Sequence, residues 1–402
     1  MNLSKKNILI YEPYPFEKIS GNLKTLIYII RFLNSEKFNL ILVVPFKTGF
    51  LNKLNQFDIE IIVLDTPKNL KLYGKKNLNS GGIEKLITTL SIFSYSIKLV
   101  KLIKQKKIDL IYCNGIRAVS ILGLSAFLTR RPILWYVKGK LENIFLDTLA
   151  FFISKRILFY SKLNSKDKYP LLQLLFKNKI SIVPTGLDIK EIDITKNKSS
   201  DKICSELKIY KKNLNIGFFG QLYEPKGVHY LIESVGKAIK KEENIVLYIV
   251  GDSIINEYSD YKHKLNSTIE LYGINNKVFF TGWRNDALQI MNNMDIIVHP
   301  SMAEGFSRSV LEAMALSKVV IASGIGGERE TIIDGENGYI INPFNTEEIA
   351  KKLIMLCRNY SLVKEIGNNA LSTIKQKHLI EDKINKLGTI IEEEISKISN
   401  QI

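Results

Sequence analysis

Two glutamates eight residues apart, Glu304 and Glu312, lie in the stretch SMAEGFSRSVLEAMALSK, residues 301–318. Glu304 stands beside a Gly-Phe-Ser turn. Glu312 falls in a helical pattern whose apolar face is Val310, Leu311, Met314 and Ala315, with Ser307 as the expected N-cap. A carboxylate near a helix start is ordinary, because the dipole favours negative charge there. An ionised carboxylate is also an acceptor only, which suits the neighbouring hydroxyls of a ribose or a hexose. Upstream, GFFGQLYEPKGVHYLIESV (217–235) reads as a strand ending at Gly220, a short loop, and a helix opened by Lys226-Gly227. The glycines let backbone approach a ligand, the helix N–H groups favour an anion, and Lys226 adds a point charge suited to phosphate. The loop matches neither GxGxxG nor GxxxxGK[ST]. Hydroxyl acceptors beside a phosphate-binding helix end describe a nucleotide-sugar pocket. Surface glutamates and a βα turn with an incidental lysine fit the same residues.

The elements that must position these groups alternate along the chain. Candidate strands are NILIY (7–11), LILVVP (40–45), IEIIVLD (59–65), DLIYCN (109–114), ILWYV (133–137), RILFYS (156–161) and ISIVP (180–184). After a lysine-rich lapse they resume as NIGFFG (215–220), NIVLYIVG (244–251), KVFFTGW (277–283), DIIVHPS (295–301), KVVIAS (318–323) and GYIIN (338–342). Helical patterns, such as residues 22–34 and 83–105, fill most gaps. Continuously apolar strands between helices indicate buried parallel sheets covered on both faces. The expected fold is therefore α/β, two tandem Rossmann-like doubly wound domains facing across a cleft. Residues 1–190 are expected to form the first domain, 191–213 the connection, and 214–380 the second domain. The helix within 381–402 packs back on the first domain.

Composition sets bounds. The net charge of +17 and pI near 9.4 imply an anionic partner, which could be a nucleic acid, a phosphorylated small molecule or a membrane surface. No RNA-binding signature interleaves the charge, so nucleic acid is set aside. The three cysteines, Cys113, Cys204 and Cys357, form no CxxC pair and fit a reducing compartment. No DxD-like pair ends a strand and the four histidines are scattered, so no metal and no cofactor are expected. His299, at a strand end, reads as a structural histidine. No uncharged apolar stretch reaches the roughly 18 residues of a spanning helix. The basic stretches 83–107 and 151–179 could still rest on anionic lipid. The expected location is cytoplasmic or peripheral on the inner face of the membrane.

AEGFSRSVLEAMA resembles the EGFG-x3-LEAMA segment of retaining nucleotide-sugar glycosyltransferases, family 4, which have the two-domain GT-B architecture. FFGQLYEPKG is similar to that family's GR-L-x3-KG loop and FTGWRND to its F-x-G-x3-D. VVIASGIGGERETIIDGENGYIINP is similar to its V-A-S-x-x-GG-x-x-E-x-I-x-DG-x-NG run, and IVPTGLD (182–188) to its I-P-N-G-V-D. The resemblance implies that Glu304 contacts the donor sugar and Glu312 the nucleotide ribose. It further implies that Gly305, Phe306 and Ser307 present N–H groups to sugar and diphosphate, that Gly220 belongs to the donor loop, and that Lys226 holds the diphosphate. Gln221 replaces a family arginine, a loss for which Arg308 could compensate. ISGNLKTLIYIIRFL is similar to the family's first glycine loop and helix, with Gly21-Asn22 in place of a Gly-Gly pair. In ILWYVKGK, Lys138 occupies a position where many members carry histidine, and it could stabilise the departing diphosphate.

The implied activity is retaining transfer of a sugar from a nucleoside diphosphate to a hydroxyl of a surface glycan or a lipid-linked acceptor. A sugar-nucleotide epimerase of the same architecture, or a sugar-nucleotide-binding partner protein without turnover, would share the donor pocket.

Overall fold

In a computed structural model of the chain, residues 5–14, 21–67, 70, 82–138, 141, 143–166, 169–253 and 258–399 are described. The chain divides into two compact units, Met1–Pro184 with Ile380–Ile402, and Thr185–Leu379. Each is a parallel sheet with helices on both faces, so the chain has two parallel-sheet α/β domains.

The first sheet contains β1 (Lys6–Tyr11), β2 (Phe38–Val44), β3 (Glu60–Val63), β4 (Leu110–Asn114), β5 (Ile133–Tyr136), β6 (Arg156–Phe159) and β7 (Ile180–Ile182) in the order 3-2-1-4-5-6-7. All of its pairs are parallel. Its helices include α1 (Gly21–Phe32), α2 (Gly82–Gln105), α3 (Ile116–Thr129), α4 (Ile144–Ile153) and α5 (Pro170–Leu175). Successive strand residues point to opposite faces. Leu9, Tyr11, Ile111, Cys113 and Trp135 therefore pack with Tyr95, Leu99 and Ile103 of α2 and with α3 and α4.

The second sheet contains β8 (Leu214–Phe219), β9 (Ile245–Val250), β10 (Val278–Gly282), β11 (Ile296–His299), β12 (Val319–Ala322) and β13 (Tyr339–Ile340) in the order 10-9-8-11-12-13, again parallel throughout. Among its helices are α6 (Ile189–Asn197), α7 (Asp201–Leu207), α8 (Val228–Ile239), α9 (Arg308–Ala315), α10 (Thr346–Arg358) and α11 (Tyr360–Lys377). Two cores sandwich the sheet. Ile216, Phe218, Leu247 and Ile249 meet α8 and α10, while Phe219, Val246, Tyr248 and Val250 meet α9 and α11.

One sequence expectation changes. Residues 191–213, read as a connection between domains, carry most of α6 and all of α7, and their Ile192, Ile203 and Ile209 are buried in the second unit's core. Of the lysines that made the segment look like a linker, Lys196 and Lys202 lie within two short helices, and Lys198, Lys208, Lys211 and Lys212 stand at or beyond their ends. No uncharged apolar run of about 18 residues exists, as read from the sequence; Leu86–Gln105 of α2, which carries Lys98, Lys101 and Lys104, is nonetheless long and apolar enough to cross a membrane by length and composition. Its charges cluster near one end, and its inner face is part of the unit's core.

The last helix, α12 (Ile380–Ser399), belongs to the first unit. Arg156 donates from Nε to Glu394 (3.0 Å) and Lys37 pairs with Glu392 (2.7 Å).

Gly227, the N-cap of α8, has φ +68°, and a Cβ there would lie 2.1 Å from the carbonyl oxygen of Pro300. Gly273 has a similar φ of +66° with nothing within 4 Å of a Cβ. Gly273→Ala should cost about 1–2 kcal/mol, the left-handed backbone penalty alone. Gly227→Ala should cost about 1–3 kcal/mol more, because backbone must move. Urea denaturation of the two variants checks the difference, and equal losses would mean that the two loops are not packed as described.

Candidate functional site

Strand order in the second sheet reverses between β8 and β11, which pair directly. At such a switch the loops leaving the two strands diverge and open a crevice at the carboxyl edge. Here the loops are tied together across it. Met302 N donates to Pro225 O (2.7 Å), Ser301 Oγ to Pro225 O (3.4 Å), Ser323 Oγ to Ser301 O (2.6 Å) and Gly327 N to Gly305 O (2.8 Å).

On this scaffold Lys226 Nζ and His299 Nε2 converge on one oxygen, Oε2 of Glu304. The lysine forms an ion pair with it, and the histidine lies 3.0 Å away. Burial alone would raise the Glu304 carboxyl. The charge of Lys226 and the hydrogen bond from His299 outweigh it and bring the carboxyl down to about 2. An ionised carboxylate only accepts, so Nε2 of His299 carries the proton of that bond. Burial disfavours the Lys226 ammonium in the same way, but the attraction of Glu304 prevails and raises it above the ordinary lysine value.

His299 is itself buried and stacks on Phe218 with ring planes 5° apart. The sequence reading took it as purely structural; the available signal was its position at the end of β11, five residues before Glu304. Glu328 was also missed. It is fully buried, its Oε1 accepts from Gly326 N (3.2 Å), and its Oε2 lacks a hydrogen-bond partner among the described residues. Burial raises its carboxyl, His299 lowers it and Glu304 raises it again.

Arg308 and Glu312 lie one turn apart on α9, and Arg308 Nε donates to Glu312 Oε1 (2.9 Å). Both side chains are largely buried, 8% and 13% exposed. Arg308, expected to make up for Gln221, is thus engaged with Glu312. Ser307 stands at the N-cap position of α9, but its hydroxyl makes no capping bond and meets Ser309 Oγ at 3.1 Å instead. Gly305 and Phe306 are half-buried in the loop before it, with the Phe306 ring 5.9 Å from that of His378. Gly220 N donates to Val250 O (3.1 Å), and Gln221 follows it, half-buried.

Gly21 and Lys138 belong to the first unit. Gly21 opens α1, and Lys138 Nζ lies 3.5 Å from Asn22 O and 5.1 Å from the centre of the Tyr136 ring. Near them, at the β1–β4 switch, the sequence reading passed over Glu12. It is 4% exposed and accepts from Tyr14 N (2.9 Å) and from Asn114 Nδ2. Burial holds its carboxyl above the ordinary value despite those bonds and the nearby Lys138. Among the described residues, no three His, Cys, Asp or Glu side chains gather as a metal-ligand set.

Residues 199–373 match the family model of glycosyl transferases group 1. The Staphylococcus aureus capsular polysaccharide biosynthesis glycosyltransferase CapM is 27% identical over 365 residues, covering 86% of this chain and 93% of that protein. The Escherichia coli UDP-Gal:alpha-D-GlcNAc-diphosphoundecaprenol alpha-1,3-galactosyltransferase is 24% identical over 273 residues, 64% of this chain and 68% of that one. The crystal structure of Anabaena HepE in complex with UDP and glucose superposes with a TM-score of 0.78 at 21% identity, covering 96% of this chain and all of that one.

Because the Glu304 carboxyl is depressed on folding, its ionised form stabilises the fold above its unfolded value of 4.5, and that contribution is lost as pH falls through about 2. The whole contribution is about 3 kcal/mol by linkage. The difference in unfolding free energy between wild type and Glu304→Gln should therefore narrow by about 2 kcal/mol from pH 6 to pH 3 in urea titrations. A difference independent of pH would mean that Glu304 is not held by Lys226 and His299.

Proposed function

We propose that this chain, a glycosyltransferase, transfers a sugar, with retention, from a nucleoside diphosphate to a hydroxyl of a surface polysaccharide or lipid-linked glycan. One observation carries the donor site: Lys226 and His299 share a single oxygen of Glu304. Oε1 is left to accept from a ligand hydroxyl while Lys226 is close enough to meet an anion.

In this reading the incoming diphosphate draws the Lys226 ammonium from Glu304. The carboxylate keeps its bond from His299 and turns Oε1 toward the sugar hydroxyls. Glu312 accepts from the ribose hydroxyls, and the N–H groups from Gly305 to the start of α9 meet the diphosphate. Transfer is a front-face displacement. The bond from the acceptor oxygen to the anomeric carbon forms as the bond from that carbon to the phosphate oxygen breaks. The acceptor proton passes to the departing diphosphate, so no protein nucleophile is needed. A carboxylate held ionised beside the sugar stabilises positive charge developing at the anomeric carbon. The similarity to the family 4 motifs supports retention. The names of the Staphylococcus aureus and Escherichia coli relatives support a polysaccharide or polyprenyl-linked acceptor, and the ligands of Anabaena HepE support a UDP-sugar donor.

The first test is the melting temperature against UDP, GDP, ADP, CMP and their sugar conjugates. Ligand at about a hundred times Kd adds about 2.7 kcal/mol, a shift of several degrees. UDP and a UDP-sugar should produce it, and a panel without any shift would overturn the donor site. Glu312→Ala should weaken nucleotide binding by about 1–3 kcal/mol, and unchanged affinity would remove Glu312 from the site. Lys138→Met should lower kcat and leave nucleotide affinity as it was; unchanged kcat would remove Lys138 from the catalytic candidates. The anomeric configuration of the product, read by NMR, decides retention.

A further inference from the structure

One layer of helices in the first unit turns apolar side chains outward. On α2, Leu86, Leu90, Phe93 and Ile97 recur at spacings of four, three and four, a single stripe, and all are more than half exposed. The opposite side of the same helix buries Tyr95, Leu99 and Ile103. On α4, Phe145, Leu149 and Phe152 form a second exposed stripe, and on α5 Leu171, Leu174 and Leu175 are 64–68% exposed. The helices are contiguous. α3 lies between α2 and α4, where Gly123 lets Ile153 approach to 3.2 Å of a Cβ position, and Phe152 of α4 meets Phe176 just after α5 at 4.9 Å.

Between α2, α3 and α4 runs a groove of about 380 Å³ lined by Ile92, Val119, Leu124, Phe127, Leu146 and Ile153, among others. The Ser120 hydroxyl in its wall donates to Ile116 O, so it asks nothing of an occupant.

Charge frames this face. Residues 83–179 carry 18 Lys and Arg against 5 Asp and Glu, a net +13 of the chain's +17. The exposed cations gather near the carboxyl ends of the helices. Lys98, Lys101 and Lys104 lie in the last turns of α2, Arg130 caps α3, Lys155 follows α4 and Lys177 follows α5. Helices that cross between parallel strands run antiparallel to them, so these ends share one edge of the unit. Of the acids in the segment, Asp147 is buried and Asp109 half-buried.

An apolar surface with a cationic rim has the wrong chemistry for the aqueous phase and the right one for an anionic bilayer. We propose that the α2–α3–α4–α5 face docks on the surface of an anionic lipid bilayer, its two apolar stripes entering the headgroup boundary and the groove taking a hydrocarbon chain. The face lies on the bilayer and does not span it, because the inner side of α2 is committed to the unit's core. Tyr95 there donates to Leu64 O as well. The proposal is independent of the donor chemistry above.

The test is cosedimentation of the full chain with vesicles of phosphatidylcholine containing about 30 mol% phosphatidylglycerol, against phosphatidylcholine alone. Wild type should bind the anionic vesicles at least about tenfold more tightly, and part of the binding should persist at about 0.5 M salt, where exposed charges are screened. The exposed triple substitution Phe93→Ser, Phe145→Ser and Leu174→Ser should weaken binding at least about tenfold, with the melting temperature and its nucleotide response preserved. Failure to sediment with either vesicle would overturn the proposal. So would triple-variant binding equal to wild type, or complete loss of wild-type binding in salt, which would leave charge without insertion. A stable dimer in sedimentation equilibrium that the triple substitution dissolves would assign the face to a second copy instead.

Discussion

A carboxylate only 15% exposed stays ionised in the second unit because Lys226 and His299 meet on one of its oxygens. That convergence needs His299 at the end of β11 and groups from the loops after β8 and β11. Parallel pairing fixes the strand ends, and the reversal of strand order makes the two loops neighbours. The bonds from Met302 and Ser301 to Pro225 then fix the loops to each other. Gly227 can be nothing larger, since its neighbour across the join is the Pro300 carbonyl. The electrostatics of one side chain thus rest on the topology of a whole sheet.

The first unit repeats the geometry with the opposite electrostatic result. Glu12, like Glu304, follows the carboxyl end of a strand beside a switch, and Lys138 stands near it. Yet Glu12 takes its close bonds from neutral donors, Tyr14 N and Asn114 Nδ2, and desolvation dominates. Two buried carboxylates in similar places are therefore driven in opposite directions by whether the cation is in contact.

Much of this is legible in the sequence. Every sheet strand is visible as a short run of branched or aromatic residues, and the central strands, buried on both faces, are apolar almost throughout. The motif around Glu304 and Glu312 was visible for a different reason: its residues are adjacent in the chain. What escaped was contact across long sequence separation. Glu304 and Lys226 are 78 residues apart, and nothing local says that they meet. Glu328 and Glu12 belong to none of the spacings singled out in the sequence, because only packing across the chain buries them. The segment 191–213 was misread because two short helices with lysines clustered at and beyond their ends resemble a polar linker, while Ile192, Ile203 and Ile209, which anchor it in the core, are too far apart in the chain to form a visible stripe.

The second unit is inserted as one continuous segment between Pro184 and Ile380 of the first. Its two ends are stitched to each other. Leu187 N donates to His378 O (2.8 Å), Leu187 and Leu379 form a parallel bridge, and His378 holds the carbonyl of Thr185. During synthesis the inserted unit has its whole sheet and both cores available as soon as residue 379 has emerged. The first unit, begun earlier, waits for α12, whose Ile384, Leu387 and Ile391 are buried residues of its core. The part of the chain made second can therefore complete its sheet and cores before the first unit gains its last helix, against the usual amino-terminal-first order.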